Sequence, residues 1–89
     1  MGVPESVEDK VTRLVVEYAQ KLPATRPLDP GLSLRADLAI DSLSLVSVTL
    51  RLAEEFGIDL VEKGADLASL RTLGDLANLG HALAREARA

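Results

Sequence analysis

A chain of 89 residues, 47% of them apolar and 27% charged, has room for one domain with one core and too high an apolar content for a disordered chain, but little volume for a buried catalytic cavity. It has no cysteine, which excludes disulfides, thiolate metal sites and a cysteine nucleophile and fits a reducing cytosol, so any thiol chemistry has to be imported. A net charge of −4 argues against nucleic acid, whose phosphates need a basic face. No stretch approaches the roughly twenty apolar residues of a membrane span, and Met1 to Glu5 lack the basic start and apolar run of a signal peptide. The expectation is a soluble, cytoplasmic, single-domain protein spanning residues 1–89, with no nucleic-acid or membrane partner. Because Tyr18 and Phe56 are the only aromatics, its core must come from Leu, Val, Ile and Ala, which suits packed helices.

Along the chain, Val7, Val11, Leu14, Val15, Tyr18 and Leu22 recur at three- and four-residue steps after Pro4, predicting an amphipathic first helix stopped by Pro23. Ser6 with Asp9 offers its N-terminal cap, and Glu5, Glu8 and Asp9 suit the positive helix end. Residues 23–41 hold Pro23, Pro27, Pro30 and Gly31 among Leu28, Leu32, Leu34, Leu38 and Ile40. This reads as a long crossover loop whose leucines pack against the helices, with partner contact near its end as an added role. A second helix is predicted from Asp41-Ser42 to Phe56, ended by Gly57.

That second helix carries a broad apolar arc of Val48, Leu52, Leu45, Phe56, Thr49, Ala53, Val46, Leu50 and Leu43, opposite Ser44, Ser47, Arg51, Glu54 and Glu55. The arc is roughly twice the 100° that a surface helix needs. Either neighbouring elements cover both flanks, or Leu43, Val46 and Leu50 form a partly open patch for a partner. A polar connection through Glu62, Lys63 and Gly64 leads to a short segment, Asp66 to Leu70, able to form one or two helical turns. Thr72 and Asp75 form a capping box with Asp in the Glu position, opening a last helix with Leu73, Leu76, Ala77, Leu79, Leu83 and Ala84. Gly74 and Gly80 weaken that helix and imply close packing. The predicted fold class is all-α, a bundle of three main helices and one short helix with a long loop between the first two.

The informative stretch is Asp37-Leu38-Ala39-Ile40-Asp41-Ser42-Leu43. The Asp41 carboxylate is placed to accept backbone N–H groups of the following turn, leaving Ser42 among the first helical residues with its hydroxyl at an exposed helix end. An anion attached there is favoured by the unpaired N–H groups and the helix dipole. Nothing activates the serine: His81 is the only histidine, and no Ser-His-Asp order with a glycine-rich elbow can be drawn, so no catalytic residue is assigned. His81 also lacks a cysteine or second histidine with which to build a metal site. Taken alone, Asp41-Ser42-Leu43 is mostly just an ordinary cap.

The wider segment from Leu34 to Leu60, with Leu-Arg-Ala-Asp-Leu-Ala-Ile-Asp-Ser-Leu followed by a helix ending Ala-Glu-Glu-Phe-Gly-Ile-Asp-Leu, resembles the acyl carrier protein family, and the likeness in helix order extends over nearly the whole chain. The resemblance implies a non-enzymatic carrier in which Ser42 bears a 4′-phosphopantetheine arm, transferred from coenzyme A by a phosphopantetheinyl transferase with Mg²⁺. The thiol of that arm then holds acyl groups as thioesters. The implied partners are that transferase, an acyl-loading enzyme (an acyltransferase or an acyl or aminoacyl ligase), and a ketosynthase or other acyl-processing enzyme; a monomer is expected.

Ala39 departs from the family's Leu-Gly-x-Asp-Ser-Leu pattern, which suggests a slightly different backbone path into the helix. Carriers of fatty acid synthesis resemble one another in an acidic second helix, whereas Ser44, Ser47 and Arg51 stand here, and acidity remains at Asp37, Asp41, Glu54, Glu55 and Asp59. Docking is therefore expected to rely on Leu43, Val46 and Leu50, with Asp37 and Glu54 beside them, and less on charge attraction. That points to a polyketide or hybrid natural-product pathway over housekeeping fatty acid synthesis. Ala39-Ile40-Asp41 matches the peptidyl carriers' Gly-Gly-His/Asp pattern poorly, although an aminoacyl cargo remains open. A helical protein-interaction module, with Ser42 only a cap, is the alternative from another class.

Overall fold

The computed structural model describes residues 5–24, 28–60 and 67–87. Helix α1 spans Val7–Tyr18, α2 Ser42–Glu55 and α3 Leu73–Ala87, with a 3₁₀ turn at Leu67–Ser69 ahead of α3. The three helices pack pairwise, and among the described residues the sole extended pairing is an isolated antiparallel bridge between Ser33 and Thr72. The all-α class and helix order therefore agree with expectation. The polar connection Glu62 to Gly64, Asp66, Pro4, Pro27 and Arg88 lie outside the described residues.

Helix α1 starts where its sequence signal says: the Ser6 hydroxyl oxygen accepts the Asp9 backbone N–H at 3.1 Å, and Val11, Leu14 and Val15 are buried. Its end differs. The periodicity runs on to Leu22, yet the helix stops at Tyr18, Ala19 turns to extended backbone, and Leu22 is 41% exposed. The reason is tertiary: the N–H groups of Gln20 and Lys21 donate to the Leu38 carbonyl at 3.1 and 3.2 Å, and these bonds to the crossover loop replace helical ones ahead of Pro23. The residue before a proline is disfavoured in helical conformation in any case.

The long loop is part of the core. Leu28, Leu34, Leu38 and Ile40 are buried with Leu14, Val48, Leu52 and Leu76 in one cluster, which anchors the crossover between α1 and α2. Backbone bonds clamp it to the start of α3: Leu34 N–H to Arg71 C=O and Leu73 N–H to Leu32 C=O, both 2.9 Å, and Gly74 N–H to Pro30 C=O at 2.8 Å. The predicted box closes α3 reciprocally, because the Asp75 carboxylate accepts the N–H groups of Arg71 and Thr72 while the Thr72 hydroxyl oxygen accepts the Asp75 N–H. Close packing accounts for Gly80: a Cβ there would lie 2.8 Å from Val7 Cγ1 and 3.2 Å from Val11 Cγ2, so α3 crosses α1 at a point where only hydrogen fits.

Candidate functional site

The site is built on the first turn of α2. Ile40 is buried and its N–H donates to the Leu34 carbonyl at 2.8 Å, which pins the loop one residue before the cap. Asp41 is the N-cap in extended conformation, and its Oδ1 accepts the Ser44 N–H at 2.7 Å. That bond is the main reason the Asp41 carboxyl is held below its ordinary value of 3.8, with attraction to the Arg35 guanidinium adding to it. Ser42 is then the first helical residue and exposed, its hydroxyl unhindered at the positive end of a fourteen-residue helix. No base touches it. His81 is far along α3 and pairs through Nε2 with the Glu8 carboxylate of α1, and among the described residues no three potential metal ligands cluster.

Ala39 sits at φ 52°, in the left-handed region that glycine adopts freely and alanine reaches only at a cost of about 1–2 kcal/mol. From the sequence, alanine in place of glycine here suggests a slightly different backbone path into the helix. Instead, alanine occupies a conformation suited to glycine, held there by buried Leu38 and Ile40 on either side.

On α2 the two possibilities for its wide apolar arc divide by residue. Leu45, Val48, Thr49, Leu52 and Ala53 are buried, whereas Leu43 is 78% exposed, Val46 37% and Leu50 38%. The last three therefore form an open apolar stripe that begins beside Ser42. Glu54 is exposed beside Leu50 on a shallow depression of about 460 Å³ that also takes in Gly57 and Ile58. Asp37 is exposed too, but its carboxylate accepts the Ser33 N–H at 2.7 Å, so it braces the loop turn. Arg51 is not part of the stripe: its Nη1 donates to Glu17 at 2.6 Å and to the Tyr18 hydroxyl at 3.3 Å, with the guanidinium over the Tyr18 ring. Glu55 likewise faces α1, accepting from Arg13 at 3.0 Å.

One feature had no sequence signal. Ser42 opens onto a groove of about 590 Å³ floored by Leu45, Val46, Leu67 and Leu70 and rimmed by Ser33, Arg35 and Arg71. Arg71 and Ser42 are brought onto one groove by the Ser33–Thr72 bridge and the backbone bonds beside it, which nothing in local patterning announces.

Comparison with known proteins agrees with this geometry. Residues 9–79, which include Ser42 and the whole of α2, match the family model described as the phosphopantetheine attachment site. The meromycolate extension acyl carrier proteins of Mycobacterium leprae and Mycobacterium tuberculosis are each 30% identical over 71 residues, covering 78% of this chain and 60% of theirs. The acyl carrier protein of Rickettsia bellii is 27% identical over 78 residues, covering 88% of this chain and 91% of its own. The chain thus spans about 60% of the length of the mycobacterial relatives, and no solved structure gives a significant match. The group that this family binds covalently is 4′-phosphopantetheine, and its members are carriers rather than catalysts. A helical bundle with an exposed serine at the start of α2, inside a family match that covers most of the chain, belongs to the phosphopantetheine-binding acyl carrier protein family.

Proposed function

We propose that Ser42 Oγ is the attachment point for 4′-phosphopantetheine and that the chain presents acyl intermediates to partner enzymes of polyketide, fatty acid or related biosynthesis. The observation that carries this reading is the position of Ser42: an exposed hydroxyl on the first residue of α2, fixed by the Asp41 cap and lying within the matched family segment. When bound, the group supplies the thiol that this cysteine-free chain lacks, and acyl groups travel on it as thioesters. The residues present fit it, with space at the helix end for a phosphodiester and an apolar-floored groove alongside.

The chain's own contribution is presentation. Asp41 holds the first turn, so Ser42 stays in place for a transferase whose base removes its proton as Oγ takes the 4′-phosphopantetheinyl group of coenzyme A and 3′,5′-ADP leaves. Leu43, Val46 and Leu50 offer the visiting enzymes an apolar stripe, with Glu54 as the acidic residue at its far end. Arg51 and Glu55 are engaged with α1, which leaves this face low in charge and supports docking by apolar contact. That feature favours a specialised pathway, and the names of the mycobacterial and rickettsial relatives are compatible with acyl-chain building more broadly.

The test is intact mass after incubation with coenzyme A, Mg²⁺ and a broad-specificity phosphopantetheinyl transferase. One phosphopantetheine should be gained and Ser42→Ala should abolish the gain; no change with several transferases overturns the reading.

A further inference from the structure

The start of α2 is less welcoming to an anion than a bare helix end. The Ser44 N–H is already taken by the Asp41 carboxylate, and that negative charge sits next to the Ser42 hydroxyl. A phosphodiester on Ser42 would be stabilised by cations held nearby in the fold. Two guanidiniums, Arg35 and Arg71, line the groove onto which Ser42 opens. Their backbones are fixed relative to one another, because Leu34, which precedes Arg35, donates its N–H to the Arg71 carbonyl at 2.9 Å beside the Ser33–Thr72 bridge. Both side chains are exposed and able to reorient. The carboxylates that compete for them are Asp41, which attracts Arg35, and Asp75, which attracts Arg71.

We propose that Arg35 and Arg71 are positioning residues that hold the phosphodiester at Ser42, keeping the first part of the arm at the mouth of the groove floored by Leu67 and Leu70. The planar guanidinium fork matches phosphate oxygens in pairs, which a lysine would not. The proposal rests on Ser42 being the attachment point.

The experiment compares ¹⁵N-labelled apo and holo protein by NMR, with intact mass recorded on each sample. In the wild type, conversion to holo should move the side-chain Nε–H signals of Arg35 and Arg71 and the amides of Leu67 and Leu70, as well as Ser42 and its neighbours. Raising the salt from about 0.1 M to about 1 M, which shortens the screening length from about 10 Å to about 3 Å, should shrink the arginine shifts by about half or more. In R35Q/R71Q the mass gain should persist while the shifts at Leu67 and Leu70 collapse. Arginine signals unmoved in wild-type holo protein, or Leu67 and Leu70 shifts that survive the double substitution, overturn the proposal alone. A missing mass gain overturns the attachment reading and the proposal with it. Transfer from succinyl-coenzyme A provides a separate arm: arginine shifts that arise only with this carboxylate-bearing cargo, and not with unacylated coenzyme A, assign the pair to cargo and overturn its role at the phosphodiester.

Discussion

The two flanks of α2 invert the usual rule for a surface helix. Toward α1 it sends charged residues, Arg51 to Glu17 and Tyr18 and Glu55 to Arg13 and Lys10. Toward solvent it sends Leu43, Val46 and Leu50. The flank with the charges is the one tied down, and the flank with the leucines is the one left open. Exposed ion pairs contribute little to stability, and an exposed leucine contributes almost nothing to the core. The fold is therefore held by the third face, Leu45, Val48, Thr49, Leu52 and Ala53, and the open apolar flank is available for other work. On the reading proposed above, that work is docking.

Substitutions on each face test this contrast. The largest effect belongs to the inner face: Leu52→Ala, which hollows a fully buried site, should cost about 2–5 kcal/mol in urea unfolding. A loss below about 1 kcal/mol would mean that α2 is not seated as described. Gly80→Ala, which forces a methyl against Val7 and Val11, should cost about 1 kcal/mol even though alanine favours helix by nearly that much; a stabilised variant would contradict the close crossing of α1 and α3. At the start of the helix, Ala39→Gly should stabilise by about 0.5–1 kcal/mol, since relief of the positive φ outweighs the added unfolded-state entropy, and destabilisation would argue against that backbone conformation.

Asp41 gives a pH signature. Its folded carboxyl lies below the ordinary value of 3.8, chiefly through the Ser44 N–H, so the folded state binds that proton less readily than the unfolded one. The stabilisation is complete above about pH 4 and is lost as the pH falls through the lower folded value. Thermal melts of wild type and Asp41→Asn, which keeps a capping oxygen without a titrating group, should diverge between neutral pH and the acid range; parallel curves would remove the carboxylate from the cap. The smallest effect on stability is expected on the open flank. Leu43→Ala should change it by no more than about 0.5 kcal/mol while slowing acyl transfer by a partner enzyme, and a large loss of stability would show that Leu43 is packed.

Much of this was legible in the chain itself. The Ser6, Asp41 and Thr72–Asp75 caps lie within a few residues of the N–H groups they satisfy, so spacing alone locates the helix starts. The broad apolar arc of α2 follows from a period of about 3.6 residues. The end of α1 was not legible, because the Leu38 carbonyl that captures Gln20 and Lys21 lies well along the loop and competes with a helical pattern that looks sound locally. Nor was the role of Arg51, whose partners Glu17 and Tyr18 lie 34 and 33 residues away in the chain.

For the site, the start of α2 at Ser42, its Asp41 cap and the family resemblance are readable from a short contiguous segment whose geometry is set by local hydrogen bonds. Which of the apolar residues of α2 stay open, and the meeting of Arg35 and Arg71 beside Ser42, were decided only in three dimensions. Both depend on contacts between elements distant in the chain, which for the arginines are the Ser33–Thr72 bridge and the backbone bonds beside it, and no periodicity within a single element encodes which partner it will meet.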